Sequence, residues 1–242
     1  LKAYTLSDDA RINQQKKSFQ IPIKKLNNGN YIADRISASG LIGFGVDVFD
    51  LFDKMPNKNG VYSLEMKVNG KRVYYHTMET FTFSNSKFLN LHIDYEHYKK
   101  YKRRFQKTHK HPLNQLSIYK SLINDGKITI ENGFNYTIEI IAKDYMENTV
   151  KVRVPIAGKK SNLLFEPQQD TTNYYIDRKK FTKFHLNKVS IAFPKNTFYD
   201  NLYLDLKQED NIVHIHNATV PLNRNFTLTF DVTSYTKEEK EK

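Results

Sequence analysis

From Leu41 to Asp50 the chain reads LIGFGVDVFD, with Ile42, Phe44, Val46 and Val48 alternating with Gly43, Gly45 and Asp47. A period of two sends alternate side chains to opposite faces, so the pattern predicts a strand over 41–49. A polar loop, Asp53 to Gly60, follows. In VYSLEMKV, Tyr62, Leu64, Met66 and Val68 alternate with Ser63, Glu65 and Lys67, and Asn69-Gly70 then leads into KRVYYH. Asn-Gly between two alternating runs predicts a tight hairpin, because both central residues of such a turn need positive φ. Strands are expected at 61–68 and 71–77. The pattern recurs at 134–142 and 149–155, where Tyr136, Ile138 and Ile140, then Val150, Val152 and Val154, take one face around the polar link DYMENT.

One segment breaks this rhythm. In DYEHYKKYKRRFQK, residues 94–107, Tyr95, Tyr98, Tyr101 and Phe105 are spaced by three, three and four, which makes an aromatic stripe on one side of a helix. Asp94 is positioned as N-cap, Glu96 suits the first turn, basic residues gather where the dipole favours them, and Pro112 forbids continuation. The stripe is expected to face inward.

After Pro155, AGKKSN reads as a linker. VSIAF, NLYLDLKQ, NIVHIHNATV and FTLTFDV supply further strand candidates, with Pro194 and Pro221 at turns or edges, and TKEEKEK forms a charged tail. A one-sided apolar face on each hairpin needs a second layer to cover it. The expected fold is all-β: two β-sandwich, immunoglobulin-like modules, the first with a short helical insertion near 94–107. The domains expected are a sandwich at 1–156, a linker at 157–167 and a second β-rich module with its tail at 168–242.

Composition narrows the chemistry. The 242 residues include no cysteine, which excludes disulfides, thiolate zinc sites and cysteine nucleophiles. The 32 Phe and Tyr residues (16 of each) and the absence of Trp fit half-buried strand positions. No apolar run reaches the length of a membrane span. The chain begins at Leu1 and shows no signal peptide, so it reads as a piece of a longer protein. The net charge of +12 points to anionic partners, nucleic acid, anionic lipid or wall polymer.

That charge is concentrated between residues 97 and 111, where Lys99, Lys100, Lys102, Arg103, Arg104, Lys107 and Lys110 occur with no acid. Two readings are open: an anion-binding face, or a solvated surface behind an aromatic stripe. Aromatics at helical spacing serve a core better than they stack bases, so nucleic acid is not expected as the partner. For metal, His214 and His216 are the candidates, since residues two apart on a strand share a face and could reach one zinc ion. Two ligands do not hold zinc, and two histidines on the solvent face of a strand are the preferred reading of the pattern. His109 and His111 repeat the spacing beside a loop. Asp47, Asp50 and Asp53 lack the spacing of a calcium loop and read as outward-facing or turn-capping residues. Asn135, Asn217 and Asn225 open Asn-x-Ser/Thr triplets that an Asn-rich chain produces by chance. There is no serine elbow, phosphate-cradling loop or dinucleotide fingerprint.

Several stretches, LKAYTL, GLIGFGVDVFD, NKNGVYSLEMKVNG, FLNLHIDYEHYKKYKRRF, LNQLSIY and IIAKDYMENT, resemble the region that follows the catalytic domain in lysostaphin-type (LytM-like) zinc metallopeptidases of Gram-negative envelopes. The resemblance covers about residues 1–156 and, more faintly, the rest. The family's chemistry needs an upstream His-x-x-x-Asp and a downstream His-x-His, which hold the zinc and activate its water. None of the eight histidines has Asp four positions on, and His214-Ile215-His216 lacks the glycine-rich setting. The catalytic roles therefore carry over to no residue, and zinc is expected only in the parent's catalytic domain. The resemblance implies a non-catalytic accessory segment in the periplasm or cell envelope. It would position a peptidoglycan endopeptidase domain, or dock to cell-wall polymer or an envelope protein. The competing readings are a zinc hydrolase built on His214 and His216, and a free-standing polyanion binder.

Overall fold

The computed structural model describes residues 1–51, 58–80, 82–163, 171–209, 212–233, 236 and 238. The chain divides into two compact units, Leu1–Pro167 and Gln168–Lys242.

Among the described residues, the main sheet of the first unit has thirteen strands: β1 (Lys2–Thr5), β2 (Arg11–Ile12), β3 (Ser18–Gln20), β4 (Ile23–Lys25), β5 (Tyr31–Ala33), β6 (Ile36–Val46), β7 (Ser63–Val68), β8 (Lys71–Thr77), β9 (Gln106–Lys107), β10 (Tyr119–Leu122), β11 (Ile128–Ile130), β12 (Asn135–Lys143) and β13 (Thr149–Gly158). Their order is β10-β8-β7-β12-β13-β6-β1-β3; β2, β9 and β11 also pair with β6, and β5 joins β13 to β4. Asn69 and Gly70, at φ 48° and 83°, make the expected turn between β7 and β8.

β6 is the organising strand. Its start, Ile36–Ala38, runs parallel to β13, while Ile42–Gly45 pairs antiparallel with β1 and Gly40–Ile42 with β11. The change of partners occurs at Gly40, which has φ 74°, and a β-carbon there would lie 2.7 Å from Ala10 Cα. Only glycine allows that backbone and that contact together. The sheet therefore curls over one core, filled from one half by Ala3, Ile42, Phe44, Ile128 and Ile130, and from the other by Leu64, Met66, Ile138, Ile140, Val154 and Ile156.

Two expectations are corrected here. Ala157 and Gly158 belong to β13 rather than to a linker, because Ile156, Ala157 and Gly158 pair with Ile36, Ser37 and Ala38. Pro155, which has no N–H, falls between the residues paired with β5 and those paired with β6. Residues 164–170 of the expected linker lie outside the described residues. The helical insertion is also arranged differently: a 3₁₀ turn at Phe83–Phe88 leads into α1 (Leu89–His92) and then α2 (Tyr95–Tyr101), so the helix expected over 94–107 is cut short.

In the second unit, Thr182–Leu186, Val189–Phe193 and Thr227–Phe230 form a three-stranded antiparallel sheet, and Leu206–Glu209 pairs with Ile212–Ile215. Its own core gathers Ile176, Val189, Ile191, Phe193, Phe198, Leu204 and Leu206. The protein is all-β; its named helical elements among the described residues are the short ones between β8 and β9 and a 3₁₀ turn at Asn124–Gly126.

Candidate functional site

α2 is anchored at its start and released at its end. Asp94 caps it, accepting the backbone N–H of His97 at 3.1 Å. The same carboxylate accepts Lys2 Nζ at 2.7 Å and the Tyr4 hydroxyl at 3.0 Å, tying the helix to β1. Burial opposes ionisation of Asp94, yet the bonds from Lys2, His97 and Tyr4 offset it and hold its carboxyl below the ordinary value. Burial beside this carboxylate raises the Tyr4 phenol far above its usual range.

At the other end, Lys102 takes φ 59° and its N–H bonds to the Tyr98 carbonyl, closing the helix in a left-handed cap. The stripe does not face inward as one face. Phe105 is fully buried, but it belongs to the extended chain after the cap; Tyr95 and Tyr98 are half-buried, and Tyr101 is 63% exposed. The rings of Tyr95 and Tyr98 instead carry cations. Lys99 Nζ lies 5.6 Å from the Tyr95 ring centre, Lys102 Nζ 5.9 Å from that of Tyr98, and the Arg104 guanidinium 5.0 Å from Tyr98 on the way to its hydroxyl. Arg104 lowers the Tyr98 phenol pKa in return.

The basic candidates therefore differ from one another. Lys100 pairs with Glu96 at 2.6 Å and Arg103 with Asp47 at 2.8 Å. Lys99, Lys102 and Arg104 have aromatic partners and no carboxylate partner among the described residues. Lys100, Lys102, Arg103 and Arg104 are exposed, whereas Lys99 and Lys107 are half-buried, the latter because it lies in β9 rather than on a helix. The result is a cationic turn, Lys99–Arg104, at the free end of α2.

Beneath the helices lies a buried polar network that sequence reasoning missed. His76 of β8 and His92 of α1 are 0% and 1% exposed, with their rings edge to face at 4.9 Å. The Tyr74 hydroxyl is 2.9 Å from His76 Nδ1, and the Tyr119 hydroxyl is 3.3 Å from His92 Nδ1. Asn114 donates to the Tyr119 hydroxyl at 2.8 Å. Burial holds both histidines neutral, His92 at a pKa of about 4 and His76 well below its ordinary value, with His92 adding to the effect on His76. The available signal was His76 itself, which occupies the inward position of an alternating strand after Tyr74.

The remaining candidates are structural in their surroundings. The strand that carries His214 ends at Ile215, and His216 follows with φ 52°. The alternation that would bring both imidazoles to one face stops between them, and His216 Nδ1 accepts the Asp205 N–H at 3.2 Å. His109 is buried against β6, where Gly43 leaves room for its ring: a β-carbon there would stand 2.4 Å from His109 Nδ1. Burial lowers its pKa to about 3. His111 Nδ1 accepts the Leu113 N–H. Asp47 is held by Arg103, Asp50 pairs across to Asn59, and Asp53 lies outside the described residues. Asn135 accepts from Arg35, Asn217 caps the turn at Thr219, and Asn225 is exposed. No group of three or more metal-ligating side chains forms among the described residues. No helix among the described residues is long and apolar enough to cross a membrane.

Fold and site together define an all-β protein of two units, the first carrying a cationic turn. Residues 166–242 match the model of the Zu5-like domain family, about a third of the chain and in register with the second unit. No curated protein and no solved structure matches the chain.

Proposed function

We propose that this chain is a non-catalytic accessory segment of a cell-envelope peptidase, acting in the periplasm or at the envelope. It positions a catalytic domain or docks to cell-wall polymer through the turn Lys99–Arg104. One observation carries the docking reading: Lys99, Lys102 and Arg104 are propped on tyrosine rings rather than neutralised by carboxylates, so their charge is available to an anionic ligand. The pairing of Arg103 with Asp47 and of Lys100 with Glu96 fixes the turn without consuming those three. The resemblance of residues 1–156 to the region after a LytM-like domain supplies the parent. The all-β build suits a rigid spacer.

The test is co-sedimentation of the chain with purified peptidoglycan at several salt concentrations. Binding that weakens steeply with salt, and is lost in the combined Lys99→Glu, Lys102→Glu, Arg104→Glu variant at an unchanged melting temperature, is expected. Equal binding by that variant would remove the turn from the interface. Release of peptides from peptidoglycan by the chain with added zinc, abolished by His214→Ala, would make the protein an enzyme instead.

A further inference from the structure

Behind the cationic turn the curled sheet of the first unit leaves a cleft of about 340 Å³. Val46, Val48, Phe49, Leu64, Ile140 and Val150 are among its walls, and Asp47 sits in the same lining. Leu64 and Ile140 are fully buried at the bottom, whereas Phe49 is 42% exposed. The mostly apolar walls thus include both core and surface residues, with Asp47 and Lys151 the charged side chains. The carboxylate of Asp47 accepts Arg103 Nε at 2.8 Å, so the cleft and the cationic turn share a border.

Size and charge restrict the occupant. At about 30 Å³ for a water-sized group, the space corresponds in bulk to one alkyl chain of about ten carbons. Pockets of about 300 Å³ and above, apolar with few polar groups, are the kind that enclose small ligands. At the border Asp47 is already neutralised by Arg103, while neighbouring Lys102 and Arg104 have no carboxylate partner among the described residues, which leaves a positive surplus. A ligand with its chain in the cleft and a negative head group at the turn satisfies both surfaces.

We propose that the cleft binds a free single-chain anionic amphiphile, a carboxylate with an alkyl chain of about ten carbons, its head group on the cationic turn. This rests on the preceding reading only in using the same turn; the chain-binding walls are separate from it.

The experiment is calorimetric titration of the full 242-residue chain with sodium decanoate, octanoate and decanol, all below their aggregation concentrations. Saturable one-to-one binding of decanoate is expected. Each methylene removed should weaken it by about fourfold if fully buried. Decanol should bind more weakly, by up to about fivefold, because it forfeits the ion pair. Val48→Trp, at the half-buried rim, should lower decanoate affinity at least tenfold with the melting temperature retained, as should Ala142→Phe if it folds. Co-sedimentation of Val48→Trp with peptidoglycan should match that of the unaltered chain, so failure of the amphiphile site and failure of polymer docking are seen separately. Absence of saturable decanoate binding, affinity indifferent to Val48→Trp, or association only with anionic lipid vesicles would each overturn the proposal.

Discussion

Lys2 Nζ lies 2.7 Å from Asp94 Oδ2, and both side chains are only 12% exposed. Ninety-two positions of sequence separate them, so this contact fixes the entry of α2 onto β1 rather than any local preference. A short helix is marginal alone and needs such an anchor.

The first prediction concerns this anchor. Asp94→Ala removes the cap and leaves Lys2 and the Tyr4 hydroxyl half-buried without their acceptor. The loss expected is about 2 kcal/mol at pH 7. Because the folded carboxyl has a depressed pKa, its contribution is present above the unfolded value and disappears as pH falls through the folded one. Denaturant melts of the two proteins should therefore converge as pH falls below the ordinary carboxylate range.

A second prediction follows from the buried histidines. His76, His92 and His109 stay neutral in the fold at pH values where an unfolded chain would protonate them. The unfolded state then binds more protons, so stability should fall as pH drops from about 6.5 towards 4. Each histidine adds a slope of up to about 1.4 kcal/mol per pH unit. His92→Gln should flatten that slope in a urea titration series. A slope unchanged in the variant would show that His92 is not among the groups responsible.

Third, the aromatic residues of the insertion should separate into two classes. Phe105→Ala should cost about 3–5 kcal/mol, because the ring is fully buried. Tyr101→Ala, at a surface position, should stay within about 0.5 kcal/mol. Tyr98→Ala should cost little more in stability yet loosen Lys102 and Arg104, which thermal melts and peptidoglycan sedimentation would report together.

Fourth, Gly40→Ala should be among the most damaging single changes. A side chain there meets both a left-handed backbone and the backbone of Ala10. A loss above roughly 2 kcal/mol, or failure to fold, is expected. A melting temperature within a few degrees of the unaltered chain would contradict the crossing described for β6.

The strands around Ile42, Leu64, Ile138 and Val152 were legible because alternation is a local property, and Asn69-Gly70 announced its own turn. What required distant partners was not legible. Gly158 reads as linker until Ala38 is placed beside it in a parallel pair, a contact 120 positions away. The spacing of Tyr95, Tyr98, Tyr101 and Phe105 imitated one helical face, but Lys102 ends the helix and the Phe105 carbonyl accepts the Asp94 N–H from an extended segment. The basic run was visible as composition, but which of its members are neutralised depends on Glu96 and on Asp47, and only Glu96 lies within helical reach. His76 and His92 belong to separate elements, and nothing in either stretch marks the other as a neighbour.

A strand that belongs to both halves of a curled sheet also governs how the structure can come apart. β6 pairs with both halves, its two segments joined through Gly40, so loss of pairing on one side removes support from the strand that the other side uses. Cooperative opening is the expected outcome, with partly opened forms and their bare edges kept scarce. Amides on both sides of Gly40 should exchange with solvent at the same slow rate, a signature of one cooperative unit rather than two stacked ones.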